Sequence, residues 1–244
     1  IHGFHPDVIV HTAASYKNPR AWGKHCTTNT FGTALMVELA QRFKARLIYF
    51  QTSLCYGPVK EQPIKVTQPI NPQNSYAISK TAGEQYIING DVDYVSFRLA
   101  NVYGPRNLSG PIPTFFRNIS EGKRSIIKDT RRDFVYIDDL LQCVIDAIDG
   151  KGMGVFHVST GFSHAIRGLY NAISMNVGKV GVMEEQKAGP DDVLDLVLEP
   201  NQLYPKPATP LELGIKKTVS WYKENPVKET YTHLQKVNDN DHIA

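Results

Sequence analysis

The segment Asn74-Ser75-Tyr76-Ala77-Ile78-Ser79-Lys80 carries a tyrosine and a lysine four residues apart in a stretch rich in Ala, Ile and Glu. A helix over this stretch sets both side chains on one face. An ammonium beside a phenol stabilises the phenolate, so the Tyr76 pKa is expected to fall from about 10 toward neutrality. Such a pair makes a general base for taking a proton off an alcohol. The same spacing also occurs on ordinary helices, as a half-buried Tyr with a surface Lys. What favours chemistry is the upstream run Tyr49-Phe50-Gln51-Thr52-Ser53-Leu54-Cys55-Tyr56-Gly57, a β-run ending in hydroxyls, where a third member of the site belongs.

Outward from these segments the chain alternates strands and helices. Val8 to His11 reads as a buried strand, about Ala21 to Lys44 as an amphipathic helix, and Arg46 to Phe50 as a strand with Thr52 and Ser53 at its C-terminal end. A Pro-rich loop over 58–72 precedes the Tyr76 helix, which is expected to run to about Asn89, and Val92 to Leu99 is the next strand. This repeat predicts an α/β fold, a parallel sheet with helices on both faces. Ligands of open parallel sheets bind beyond the C-terminal strand ends, so a hydroxyl there has reason to be functional.

After Gly104 the pattern changes. Helices are expected at Pro111 to Glu121, from Asp138-Asp139 (as N-cap and first turn) to near Ile148, at Ile166 to Val177 and at Pro210 to Tyr222. Strands are expected at Ser125 to Lys128, Arg132 to Ile137 and Val155 to Ser159, with two more between Val182 and Leu198. The tail after Asn225 reads as polar and loosely held.

At 244 residues the chain can bury a sizeable core, and its formal charge of +3 favours no nucleic-acid partner. No charge block or aromatic-interleaved basic stripe supports one either. Three scattered cysteines, Cys26, Cys55 and Cys143, fit reduced thiols, and the eight histidines show no metal-ligand spacing, so no metal is expected. His11 and His157 read as packing residues. Without a signal peptide or long apolar run, a soluble, cytoplasmic protein with no membrane partner is expected.

Taken together, Val10-His11-Thr12-Ala13-Ala14, Asn29 with Gly32-Thr33, Thr52 to Gly57, Tyr76 to Lys80, Phe97 to Arg106 and Arg132 to Leu140 follow an order that resembles the extended short-chain dehydrogenase/reductases of the nucleotide-sugar epimerase/dehydratase family. Bacterial enzymes of lipopolysaccharide O-antigen sugar synthesis are the nearest likeness. The resemblance implies a Rossmann-type doubly wound parallel sheet with a smaller C-terminal substrate domain. Residues 1–104 with 138–159 would form the NAD-binding part, and 105–137 with 160–244 the nucleotide-sugar-binding part. It also implies NAD as cofactor, and a homodimer through the helices around 21–44 and 75–89.

By the same likeness Tyr76, Lys80 and Thr52 are catalytic, Lys80 also holding the nicotinamide ribose. Ala13, Ala14 and Asn29 lie near the cofactor with Tyr76 and Lys80, and Ser53, Asn101 and Arg132 meet the substrate, Arg132 at its diphosphate. Family 4,6-dehydratases resemble Asp-Glu at positions 53 and 54. Leu54 has no titratable group, so dehydration and decarboxylation are disfavoured and epimerisation at C4 of a UDP sugar is expected. A dehydratase-like or reductase reaction, or a catalytically silent nucleotide-sugar-binding paralogue, are the alternatives. Two departures stand out. No Gly-x-x-Gly-x-x-Gly turn follows a strand, and at about 30 residues per βα unit roughly two units are missing from the front, so the chain is expected to be a piece of a longer protein. A second phosphate-contacting Arg expected between Glu199 and Pro210 has no counterpart.

Overall fold

The computed structural model describes residues 3–189 and 193–231. The first half runs through β1 (Val8–His11), α1 (Trp22–His25), a π-helical segment (Cys26–Phe31), α2 (Gly32–Phe43), β2 (Arg46–Thr52), a 3₁₀ turn (Ser53–Tyr56), α3 (Ser75–Ile88), β3 (Tyr94–Leu99) and β4 (Asn101–Tyr103). The second half continues with α4 (Pro111–Glu121), β5 (Arg124–Lys128), β6 (Arg131–Arg132), β7 (Phe134–Tyr136), α5 (Ile137–Ile148), β8 (Gly154–Val158), β9 (His164–Ala165), α6 (Ile166–Val177), β10 (Val182–Gln186), β11 (Asp195–Leu196) and α7 (Leu211–Glu224).

β1, β2, β3 and β8 lie side by side in that order, all parallel, as the strand–helix alternation predicts. Successive side chains of a strand point to opposite faces, and β2 uses both. Leu47 and Tyr49 pack with Val37, Ala40 and Ile87 of α2 and α3. Ile48 packs with Val95, Leu140 and Val144 on the α5 face. A parallel sheet covered on both sides is the result. α3 starts where Asn74 Oδ1 accepts the Ala77 amide hydrogen at 2.9 Å, an N-cap bond. It approaches the π-helical segment and β2 closely because Gly83 has no side chain: a Cβ there would lie 2.8 Å from Asn29 O and 2.9 Å from the Tyr49 hydroxyl.

A second core, with Phe115, Phe116, Tyr170, Ile173, Ile215 and Tyr222 at its centre, joins α4, α6 and α7. The remaining strands form short sheets: β4 with β7, β10 with β5, and β6 between β11 and β9.

Four local expectations change. β1, expected as a buried strand, buries only His11 and leaves Val10 39 % exposed. The expected strand from Arg132 to Ile137 is broken at Asp133, which is fully buried. Its carboxylate accepts from the Ser159 and Thr160 hydroxyls and from the Thr160 and Gly161 amides, so it pins the loop after β8 and cannot pair with Arg132. α5 is capped by Tyr136 without a side-chain bond, and Asp138 and Asp139 lie inside its first turn. The tail is anchored as far as it is described: Val227 is buried, the Tyr231 amide donates to Leu108 O at 2.9 Å, and the Gly110 amide donates to Tyr231 O at 3.0 Å. The rest of the tail, 232–244, lies outside the described residues. No helix among the described residues is long and apolar enough to cross a membrane.

Candidate active site

Beyond the C-terminal ends of β1, β2 and β3, and facing the N-terminal turn of α4, lies a cavity of about 490 Å³. Thr52, Ser53, Tyr76, Lys80, Asn101 and Arg132, all expected from the sequence, line it together. Residues from four segments of the chain therefore converge, because β2, α3, β4 and β6 all end or start at this edge.

Lys80 is 3 % exposed, and its Nζ stands 3.8 Å from the centre of the Tyr49 ring, a cation–π arrangement. The Tyr49 hydroxyl in turn donates to Lys80 O at 2.9 Å, so the lysine backbone and side chain are held by one neighbour. Burial lowers the Lys80 pKa to about 7, with the Glu84 carboxylate one turn further along α3 pulling the other way. Tyr76 is half-buried and meets the His25 ring edge-on at 6.2 Å. Its pKa is pushed up to about 12 by burial, with Tyr16 adding to the rise. The expected lowering by Lys80 is thus reversed in the protein by itself. Removal from water penalises the phenolate and, at the same time, strips charge from the lysine that was to stabilise it.

Thr52 Oγ1 accepts from the Leu54 amide at 3.2 Å and so caps the 3₁₀ turn, while its hydroxyl hydrogen has no acceptor among the described residues. It can serve the turn and still donate into the cavity. Ser53 and Leu54 both line the cavity wall. Asn101 ties β4 to the next segment through Nδ2 to Asp133 O at 3.0 Å. Arg132 lines the cavity, whereas Arg131 turns away and donates to the Ser163 side chain and backbone. Arg106 is exposed and outside the cavity wall.

On the expected cofactor side Ala14 lines the cavity and Ala13 does not. Asn29 is fully buried behind it. Its amide is consumed by the Ser15 backbone, accepting from Ser15 N at 2.7 Å and donating to Ser15 O at 2.9 Å, and by Ser79 Oγ at 3.0 Å. Asn29 therefore shapes the loop after β1 and touches the cavity only through it.

Two residues passed over in the sequence belong to the wall. His11, read as packing, lines the cavity, and burial lowers its pKa to about 4, with the Lys80 charge adding to the fall. Its tautomer is fixed by Thr33: that hydroxyl has one hydrogen and gives it to Asn29 O at 2.6 Å, so it accepts from His11 Nε2–H at 3.0 Å. Gln51 also lines the cavity, and the signal for it is a polar residue inside β2 directly after the run Leu47 to Phe50. His157, by contrast, is a packing residue as expected: Nδ1–H donates to Glu199 O at 2.9 Å and Nε2 accepts from the Tyr56 hydroxyl at 2.6 Å. No group of three or more metal-ligating side chains occurs among the described residues.

The chain as a whole is similar to known proteins. Bordetella bronchiseptica WbmG, solved with NAD and UDP, is 36 % identical and superposes with a TM-score of 0.87 over 95 % of this chain and 77 % of its own. A UDP-glucose 4-epimerase of Mycolicibacterium smegmatis is 31 % identical over 90 % of this chain and 77 % of its own length. A dTDP-D-glucose 4,6-dehydratase of Bos taurus is 26 % identical over 90 % of this chain and 68 % of its own. Residues 1–157, which include β1, β2 and the Tyr76 helix, match the profile described as "NAD dependent epimerase/dehydratase family". With more than half its length covered by that match, the chain belongs to the NAD dependent epimerase/dehydratase family.

Proposed function

We propose that the protein is an NAD-dependent nucleotide-sugar epimerase that inverts C4 of a UDP-hexose derivative. The observation that carries this reading is the wall shared by Thr52, Tyr76 and Lys80, with the apolar Leu54 beside them where a dehydratase needs a titratable group. The enzyme class and the NAD cofactor agree with the family and with the NAD-bound WbmG structure; inversion at C4 and the UDP sugar are supported by the similarity to a UDP-glucose 4-epimerase and to the UDP-bound WbmG, together with the apolar Leu54.

The residues suit the cofactor. Tyr76 and Lys80 offer donors from one helix face, Ala14 puts only a methyl group between backbone and cavity, and Phe50, Leu99 and Val102 add apolar wall. Lys80 and Tyr76 would hold the nicotinamide ribose. When bound, NAD supplies a reversible hydride acceptor for C4 and a positive charge beside the tyrosine.

The chain's own part is proton transfer and positioning. Tyr76 Oη takes the proton of the sugar 4-hydroxyl and later returns it to the same oxygen. A phenol held at about 12 is a poor base at neutral pH until a positive charge lowers it. The Thr52 hydroxyl donates to the sugar oxygen and holds it in line with Tyr76. Asn101 and Arg132, which also line the cavity, fix the diphosphate through amide and guanidinium donors. The sugar then turns over as a 4-keto form without leaving the site.

Tyr76→Phe tests the assignment. It should lower kcat for interconversion of C4 epimers by about 10²- to 10⁴-fold while UDP-sugar affinity stays near wild type. A wild-type product that has lost water, found by mass spectrometry, would sink the epimerase reading in favour of a dehydratase.

A further inference from the structure

Gln51, near the end of β2, is 1 % exposed and lines the cavity. Its Oε1 accepts the Thr52 amide hydrogen at 2.8 Å. A backbone N–H bonds only to an acceptor, so that contact fixes which end of the side-chain amide is oxygen; the flipped amide would set two donors against each other. Nε2, with its two hydrogens, is left buried without a partner.

None of the neighbours among the described residues supplies one. Across the sheet Gln51 is in register with Arg98, itself a donor. Arg98 gives its hydrogens to Glu84, the Tyr56 hydroxyl and Val66 O. The Glu84 carboxylate is taken up by Arg98 and by the Ser96 hydroxyl at 2.6 Å. Lys80, from α3, adds another donor to the same wall. Buried amides are almost always paired, and an unpaired one in a ligand cavity calls for a partner that arrives with the ligand.

We infer that Gln51 is a ligand-binding residue whose amide donates to an uncharged oxygen, a hydroxyl or carbonyl, of the bound sugar or of the nicotinamide nucleoside. This rests on the reading of the cavity as an NAD and nucleotide-sugar site. The oxygen is uncharged because Gln51 adjoins Thr52, which handles a sugar hydroxyl, whereas the diphosphate belongs to Arg132.

Two substitutions test it. Gln51→Glu keeps an oxygen for the Thr52 amide and turns the donor into an acceptor. Gln51→Met removes both amide hydrogens at similar size. NAD affinity by calorimetry and KM for UDP-sugar at saturating NAD are measured for each, beside the thermal midpoint without ligand. At least one affinity should weaken tenfold or more in both variants: the NAD arm identifies a nicotinamide-nucleoside oxygen, the KM arm a sugar oxygen. If Gln51→Met fails to fold, Gln51→Glu alone decides. Wild-type affinities within twofold in the folded variants overturn the inference and leave the epimerase reading standing. A wild-type protein that binds neither NAD nor UDP-sugar overturns that reading, and this inference with it.

Discussion

At neutral pH Lys80 sits near the midpoint of its titration, because burial lowers its pKa to about 7. His11 and His157 are lowered to about 4, also by burial. All three are bases whose folded pKa lies below the unfolded value, about 10.4 for Lys and about 6.5 for His. Between each pair of values the unfolded chain holds the extra proton, so stability rises with pH across that window. For the histidines the window is about 4 to 6.5, and for Lys80 about 7 to 10.4. Tyr56 and Tyr76 act the other way: raised to about 12, they keep their protons when the unfolded chain loses them near pH 10, and stability falls above that. The Cys55 and Cys143 thiols, raised by burial to about 12 and about 11, act in the same direction from the unfolded thiol value of about 8.5. The urea midpoint should therefore climb from pH 5 to about pH 8 and turn down beyond about 9. Lys80→Met should flatten the climb between pH 7 and 8 while leaving the part below pH 6.5 intact. A Lys80→Met profile parallel to wild type throughout would show that the buried lysine does not carry that segment.

Among the elements, α3 and β3 are joined by a charge pair that is unusual for its depth. Arg98 Nη2 meets Glu84 Oε2 at 2.8 Å, with side-chain exposures of 7 % and 0 %. Breaking such a pair on one side leaves a buried charge uncompensated, whereas replacing both partners by apolar groups removes the desolvation cost as well. Glu84→Gln should thus cost about 3–5 kcal/mol in urea unfolding, and Glu84→Leu with Arg98→Met together should recover most of that. A double variant as unstable as the single would mean that the wider network through Tyr56 and His157, and not the pair, holds these elements. The pair also marks where the sequence stops being legible. Long periodic elements could be read from it: α6 was expected from Ile166 to Val177 and spans Ile166–Val177. β4 and β9 could not, since three- and two-residue strands arise only where distant segments meet, Asn101 against Phe134 and His164 against Arg132. The Tyr76–Lys80 spacing was legible as one helix face that meets the cavity, but the direction of the Tyr76 pKa shift was not, because burial depth belongs to the assembled sheet and helices. Asn29 and Gln51 exchange importance for the same reason: only the fold reveals that the first has spent its amide on Ser15 and the second has half of its own to spare.

For the whole molecule, the inner and outer faces of α3 have different work. Tyr76 and Lys80 line the cavity, while Ile78 and Tyr86 stand 43 % and 53 % exposed on the outside. Trp22, Phe31 and Leu35, on the run from α1 to α2, add 61 %, 59 % and 38 % exposure. An apolar patch built from two packed helices suits a second copy of itself, since a two-fold axis matches one patch with another. The homodimer implied by the family likeness is proposed to form there. α5 offers a competing stripe, with Leu141, Ile145 and Ile148 exposed at helical spacing. Sedimentation velocity at micromolar concentration separates the two. Phe31→Glu with Tyr86→Glu should convert a dimer to a monomer, and Leu141→Glu with Ile145→Glu should leave the dimer intact. The reverse pattern, or a wild-type monomer at tens of micromolar, would rule out the α2–α3 interface. The monomer should also be slower: Ile78 lies between Tyr76 and Lys80 on one helix turn, so a partner packed on the outer face restrains the backbone that aims both side chains proposed to be catalytic. A fall in kcat that tracks the fraction of monomer, with UDP-sugar affinity unchanged, is the expected signature.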